Sequence, residues 1–167
     1  MKIETERLEL KVLNAHELKL WTEDIPALEW EIKAVYKAEP MEGEFLRIVK
    51  KQLEITQENL EDYYWHSFFF MIRKSDRVVV GSSDFKAAPD KEGQVEIGYG
   101  LGKEFEHNGY MTETVEAMCS WALKQDGVKA VIAETEADNI PSQNILKRCG
   151  FVEYKREKTI WWRLEGK

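Results

Sequence analysis

Between Gln94 and Ala117 the apolar pattern changes its period across one short polar turn, and this change constrains the fold more than any other feature of the chain. Val95, Ile97, Tyr99 and Leu101 alternate with Gln94, Glu96, Gly98 and Gly100, the period of two of a half-buried strand. Gly102 and the polar run Lys103–Asn108 end that pattern. From Tyr110 onward Met111, Val115, Met118 and Ala122 recur at helical spacing. A helix that starts at such a turn leaves its first N–H groups unpaired at the positive end of its dipole, a ready seat for phosphate. Gly109 allows close backbone approach there, and His107 and Asn108 offer further donors. No Lys-Ser or Lys-Thr pair follows the glycine and no G-x-G-x-x-G is present, so neither common nucleotide loop accounts for the turn.

The flanking segments extend this unit into one α+β domain over residues 1–167. Arg7–Leu13 alternates as a first strand, and Asn14 caps a helix over Ala15–Trp21. Asp24 and Pro26 open a second helix whose apolar stripe runs Leu28, Ile32, Val35 and Tyr36. A longer amphipathic pattern runs from Glu42 to Tyr64, with a break near Gln57–Asn59. His66–Arg73 and Arg77–Lys86 form an antiparallel hairpin, with Gly81 marking a bulge or a close backbone approach. After the central helix, Val128–Glu136 is a strand; a strand–helix–strand crossover of this length makes the two strands parallel. Pro141 starts a last helix, Gly150 ends it, and Phe151–Lys155 and Thr159–Leu164 close the chain as two strands.

Composition excludes several classes. With 43% apolar and 33% charged residues in 167, the chain supports one packed domain. The formal net charge of −7 argues against nucleic acid, which demands clustered Lys and Arg. No apolar run approaches the roughly 20 residues of a membrane span. The opening MKIETERLEL carries charge where a signal peptide is apolar, so a cytoplasmic protein is expected. Two cysteines and three scattered histidines make neither a disulfide framework nor a metal pattern.

Three separated segments resemble the GCN5-related N-acetyltransferase (GNAT) superfamily, most closely its ribosomal-protein-alanine acetyltransferase branch. They are Glu4-Thr5-Glu6-Arg7-Leu8; Glu96-Ile97-Gly98-Tyr99 with Asn108-Gly109-Tyr110-Met111-Thr112-Glu113; and Asn139 and Ser142 with Leu146, Gly150 and Phe151. Order and spacing fit over nearly the whole chain, and Ala27–Trp65 fits least. The resemblance implies a central mixed, mostly antiparallel sheet with flanking helices, whose two central parallel strands splay apart around acetyl-CoA. Pantetheine would lie along Ile97, Gly98, Tyr99, Gly100 and Leu101. The pyrophosphate would sit on His107, Asn108, Gly109, Tyr110, Met111 and Thr112, and Asn139 and Ser142 match positions that touch the cofactor in relatives. Two departures stand out: Glu106 opens the phosphate turn where relatives carry Gln or Arg, and Met111 replaces a small residue.

Acetyl transfer to an amine requires a neutral nitrogen, hence a proton acceptor near the thioester. Glu96 is the candidate base, on the strand face opposite Val95, Ile97 and Tyr99 and next to the glycines. The resemblance puts Leu146 where many relatives carry an acidic Tyr, leaving Ser142, and less directly Tyr99, to protonate the departing thiolate. Direct attack in a ternary complex is implied, with no covalent role for Cys149. Some of Tyr63, Tyr64, Trp65, His66, Phe68, Trp161 and Trp162 are expected to wall the acceptor pocket. The acceptor is a protein N-terminus or a small-molecule amine, and dimers are common in relatives. The alternatives are a catalytically silent acyl-CoA sensor and a general nucleotide binder built on Gly109.

Overall fold

The computed structural model describes residues 1–166. In chain order its elements are β1 (Lys2–Glu4), β2 (Leu8–Val12), α1 (Ala15–Glu23), α2 (Ile25–Ile32), β3 (Val35–Tyr36) and α3 (Gly43–Gln57). There follow β4 (Phe68–Arg73), β5 (Val78–Phe85), β6 (Gln94–Leu101), α4 (Tyr110–Leu123), β7 (Ala130–Glu136), α5 (Ile140–Arg148), β8 (Val152–Arg156) and β9 (Thr159–Glu165). The nine strands described form one sheet in the order β1-β2-β4-β5-β6-β7-β9-β8, with β3 alongside β5. The main path is antiparallel except at its centre, where β6 and β7 run parallel across α4, as the crossover predicts.

The strands are apolar on alternate positions, so each face of the sheet acquires its own core. On one face Leu8, Leu10, Phe69, Met71, Phe85, Val95 and Ile97 pack against Val115, Met118 and Ala122 of α4. On the other, Phe68, Phe70 and Ile72 meet Leu18 and Trp21 of α1, Leu28 of α2 and Val49 of α3. The Trp21 ring stands edge-on to Phe45, Phe68 and Phe70 at centroid distances of 5.5, 5.3 and 4.8 Å. Asn14 caps α1 with a reciprocal box: Glu17 N–H donates to Asn14 Oδ1 and Asn14 N–H to Glu17 Oε1.

Three boundaries differ from the expected ones. The second helix stops at Ile32 because Lys33 turns left-handed (φ 55°), and Val35–Tyr36 becomes a strand parallel to β5 instead of helix. Its backbone has ready partners there: Val35 N–H donates to Arg77 O and Tyr36 N–H to Glu29 Oε2. The long amphipathic run breaks after Gln57, and Tyr63–Trp65 forms a separate 3-10 turn. Lys2–Glu4, too polar to stand out, adds an edge strand on β2. Gly81 satisfies both of its expected readings. The β4–β5 register slips beside it, and a side chain at Gly81 would run into the carbonyl of Gly100. Among the described residues no helix is long and apolar enough to cross a membrane.

Candidate active site

β6 and β7 are hydrogen-bonded neighbours only where Gln94–Glu96 face Ala130–Ile132. Beyond that point they part. Ile97–Leu101 remain paired to β5 alone, and Ala133–Glu136 to β9 alone. A cleft of ≈ 910 Å³ opens between them, lined by Ile97–Leu101 on one side and by Glu134, Thr135, Glu136, Asn139 and Ser142 on the other. The edge of Ile97–Leu101 facing this cleft has no strand beside it, so its backbone groups can pair with an extended ligand carrying amides.

The cleft ends at the turn before α4. His107 and Gly109 are both left-handed, with φ 67° and 80°, a conformation that glycine adopts without strain. Gly109 is the N-cap and no side chain caps the helix; the first bond onto it comes from Glu113 N–H to Gly109 O (3.1 Å). His107, Gly109, Tyr110, Met111 and Thr112 all line the cleft. Asn108 does not: its Nδ2 donates to the carbonyls of Phe105 and Glu106 (3.0 and 3.1 Å), bracing the turn from inside. Glu106 lies exposed at the cleft mouth, and Met111 packs its side chain into the core under α4, leaving its N–H at the turn.

A clasp holds this turn from behind, and no local pattern announces it. Glu113 of α4 accepts from the Thr5 hydroxyl (2.5 Å), from Arg7 N–H (2.9 Å) and from Arg7 Nε (2.9 Å). Arg7 also donates through Nη1 to the Asn108 carbonyl (2.9 Å) and lies over the Tyr110 ring at 4.4 Å. Burial pushes the Glu113 carboxyl up, but the Thr5 and Arg7 hydrogen bonds outweigh it and hold the group below the ordinary range.

At the far end of the cleft the Tyr99 and Ser142 hydroxyls are 2.6 Å apart. Ser142 is fixed by α5, where Asn139 Oδ1 accepts from its N–H (3.2 Å). Burial raises the Tyr99 phenol above its usual value. Cys149 is half-buried, and burial pushes its thiol up to about 11, so it is not a thiolate at neutral pH. Leu146 is fully buried in the core.

A cleft formed by parting parallel strands, with an uncapped helix start at one end, suits an extended ligand that carries amides and ends in phosphate. The acetyltransferase (GNAT) domain family model matches residues 7–152. The chain belongs to this family. YjdG, an uncharacterized N-acetyltransferase of Bacillus subtilis, is 28% identical over 151 residues, 84% of this chain and 89% of that one. Among solved structures, the ribosomal-protein-S5-alanine acetyltransferase of Vibrio fischeri superposes with a TM-score of 0.70 at 18% identity, covering 99% of this chain and 97% of its own. RimL, a ribosomal L7/L12 alpha-N-protein acetyltransferase solved with coenzyme A, gives 0.71 at 13% identity and coverage of 99% and 98%. The protein is therefore an N-acetyltransferase, and acetyl-CoA is its acyl donor.

In this acetyltransferase the sheet face opposite α4 carries the charges. Lys86 Nζ pairs with Glu96 Oε2 at 3.0 Å. Gly98 and Gly100 follow Glu96 on that face, and both leave room for carboxylates: a side chain at Gly98 would meet Asp84 Oδ1 at 2.8 Å, and one at Gly100 would run into Glu39. Neither Asp84 nor Glu39 figures among the residues expected from the sequence. None of the aromatic residues expected around the acceptor pocket lines this cleft. Tyr64 and Trp65 pack with Trp121 in the core, Phe68 joins the Trp21 cluster, and Trp162 Nε1 donates to Thr135 Oγ1 (3.0 Å). They fill the interior because period-two strands aim their rings at the helices on both faces.

Proposed function

We propose that the acceptor amine approaches the sheet face opposite α4, over Gly98 and Gly100, and attacks acetyl-CoA directly in a ternary complex. The unpaired edge of Ile97–Leu101 carries this reading, because it fixes where an extended thioester can lie. Ile97, Gly98, Tyr99, Gly100 and Leu101 hold the pantetheine arm, and His107 with the free N–H groups of Gly109, Tyr110, Met111 and Thr112 holds the pyrophosphate. Asn108 and Arg7 shape that seat. Asn139 positions Ser142, whose hydroxyl, hydrogen-bonded to Tyr99, stands ready to give the departing sulfur a proton. Glu96, at the last paired position before the strands part, belongs to the carboxylate face that receives the amine's proton.

The acceptor is a protein N-terminus or a small-molecule amine; the carboxylates over the two glycines favour a cation. Catalysis here needs no covalent enzyme intermediate, in keeping with the protonated Cys149 thiol. The protein acts in the cytoplasm in this reading. A thermal-shift and calorimetric titration with acetyl-CoA, with ATP as control, tests the cofactor seat. A one-site stabilisation by acetyl-CoA that ATP does not match is expected, followed by free-thiol release with a panel of amines. No stabilisation at millimolar acetyl-CoA would sink the assignment.

A further inference from the structure

The carboxylate face contains a group whose surroundings differ from those of its neighbours. Asp84 is only 8% exposed, is the last residue but one of β5, between Ser83 and Phe85, and has no side-chain hydrogen-bond or ion-pair partner among the described residues. It stands opposite Gly98 in the β5–β6 ladder, and its Oδ1 faces the space a Gly98 side chain would fill. Glu39 reaches the corresponding space over Gly100 from the segment before α3. The two carboxylates thus lie directly over the glycines, and one that is buried without a hydrogen-bond partner favours the arrival of a cation or a proton.

We propose that Asp84 is the group that takes the proton from the acceptor's ammonium, and that Asp84 and Glu39, the two carboxylates lying over Gly98 and Gly100, are what this ammonium meets. The proposal rests on the acetyltransferase reading and assigns a residue within it. Glu96 is less suited to the task. Its carboxylate is already committed to Lys86 at 3.0 Å. Asp84 is in the opposite position: burial pushes it up to about 7, Lys86 lowers it and Glu96 raises it. A carboxylate near that value both accepts and releases a proton at neutral pH.

The charged groups around it are few. Lys86 directly follows the end of β5, with its Cε 3.2 Å from the point a Gly98 side chain would occupy. Glu96 lies on β6, and Glu134 on β7 acts on the same Lys86. Glu39 is beyond Gly100, and burial raises it too. On the β4 side Asp84 is paired with Phe68, and His66 before that strand is engaged by Asp62 at 3.7 Å. An arriving ammonium thus meets two carboxylates without fixed partners and one lysine already paired.

The proton balance is simple. An N–H bond of the ammonium breaks, the proton goes to Asp84 and the nitrogen keeps the electron pair. That pair forms the bond to the acetyl carbon as the carbon–sulfur bond breaks, and the sulfur leaves with its own pair. The nitrogen's surplus proton goes to the sulfur by way of the Ser142 hydroxyl, and Asp84 returns its proton to water after release.

The deciding experiment compares Asp84→Asn and Glu96→Gln in pH profiles of kcat/KM, together with an infrared titration of the protein without acetyl-CoA. Asp84→Asn is expected to lose on the order of a hundredfold or more at neutral pH, with a deficit that shrinks as the medium approaches the amine's own pKa. Glu96→Gln is expected to keep the acidic limb but displace it to lower pH, because the charge that raises Asp84 is gone, and Asp84→Glu to restore the limb that Asp84→Asn loses. In the infrared titration the wild type is expected to lose a protonated-carboxyl band near neutral pH, and Asp84→Asn to lack that band. A limb abolished in Glu96→Gln and kept in Asp84→Asn, or a band that persists in Asp84→Asn, overturns the assignment and leaves the acetyltransferase intact. Wild type that binds acetyl-CoA yet releases no thiol with any amine overturns both. Should Asp84→Asn fail to fold, the wild-type titration still decides, since no carboxyl titrating near neutrality would refute the proposal.

Discussion

Two neighbouring patches on one face of the sheet are built from opposite materials. Over β4 the face is closed by Trp21, Phe45, Phe68 and Phe70, rings meeting edge to face at about the separations such pairs prefer. One strand further, over β5 and β6, the same face presents Asp84, Gly98 and Gly100 with no ring above them. The first patch leaves nothing for a ligand to do, since its atoms already satisfy one another. The second holds Asp84, a buried carboxylate with no hydrogen-bond or ion-pair partner among the described residues. The contrast teaches where stability ends and function begins, for the sheet gives up packing at the strand whose far edge is left unpaired.

Breaking the packed patch should have the largest effect on folding. Phe70→Ala removes a fully buried ring, and a loss of about 3–5 kcal/mol is expected in denaturant unfolding. Breaking the bare patch should do the reverse. The folded value of Asp84, about 7, lies above its ordinary value of 3.8, so the folded chain holds a proton that the unfolded chain releases between these limits. This contribution to stability is complete below about pH 4 and is lost as the pH rises through 7. Asp84→Asn should therefore stabilise the protein at pH 8, by up to about 4 kcal/mol, and do little at pH 4, as read from melting temperatures across pH. If Asp84→Asn destabilises at both ends, the patch is packed after all and the contrast fails.

Gly100→Ala sharpens the comparison further. Only the flexible end of Glu39 stands in the new methyl's way, so unfolding should change by less than about 1 kcal/mol. Thiol release should fall about tenfold or more, because the methyl displaces the Glu39 carboxylate, a change of about 1.4 kcal/mol in barrier. At the small end, Cys149→Ser should leave turnover and its pH profile unchanged, since a thiol pushed up to about 11 carries almost no thiolate at neutrality.

The parts of this arrangement that repeat along the chain were legible in the sequence. Val95, Ile97, Tyr99 and Leu101 announce the central strand, Gly109 the helix start, and both survive in the structure. Val35 and Tyr36 mislead because they keep helical spacing with Leu28 and Ile32, while the left-handed Lys33 between them is an ordinary residue that betrays nothing. What depends on sideways neighbours leaves no trace along the chain. The parting of β6 from β7 needs both strands in place, and Asp84 reads as one more polar residue until β4 and β6 bury it. A lone carboxylate between Ser83 and Phe85, in a strand otherwise rich in valine, was the available signal.

The clasp of Thr5 and Arg7 on Glu113 bridges 106 residues of chain. It ties the order in which the molecule is made to the order in which it becomes competent. The strand made first cannot finish its contacts until the helix behind the phosphate turn has been synthesised and docked, and closing so long a loop carries an entropic cost that only the intervening sheet offsets. The turn before α4 is thus expected to be completed only when both ends of that span meet. An acetyl-CoA molecule bound there should slow hydrogen exchange in β1 and β2, far along the sequence from the residues it touches.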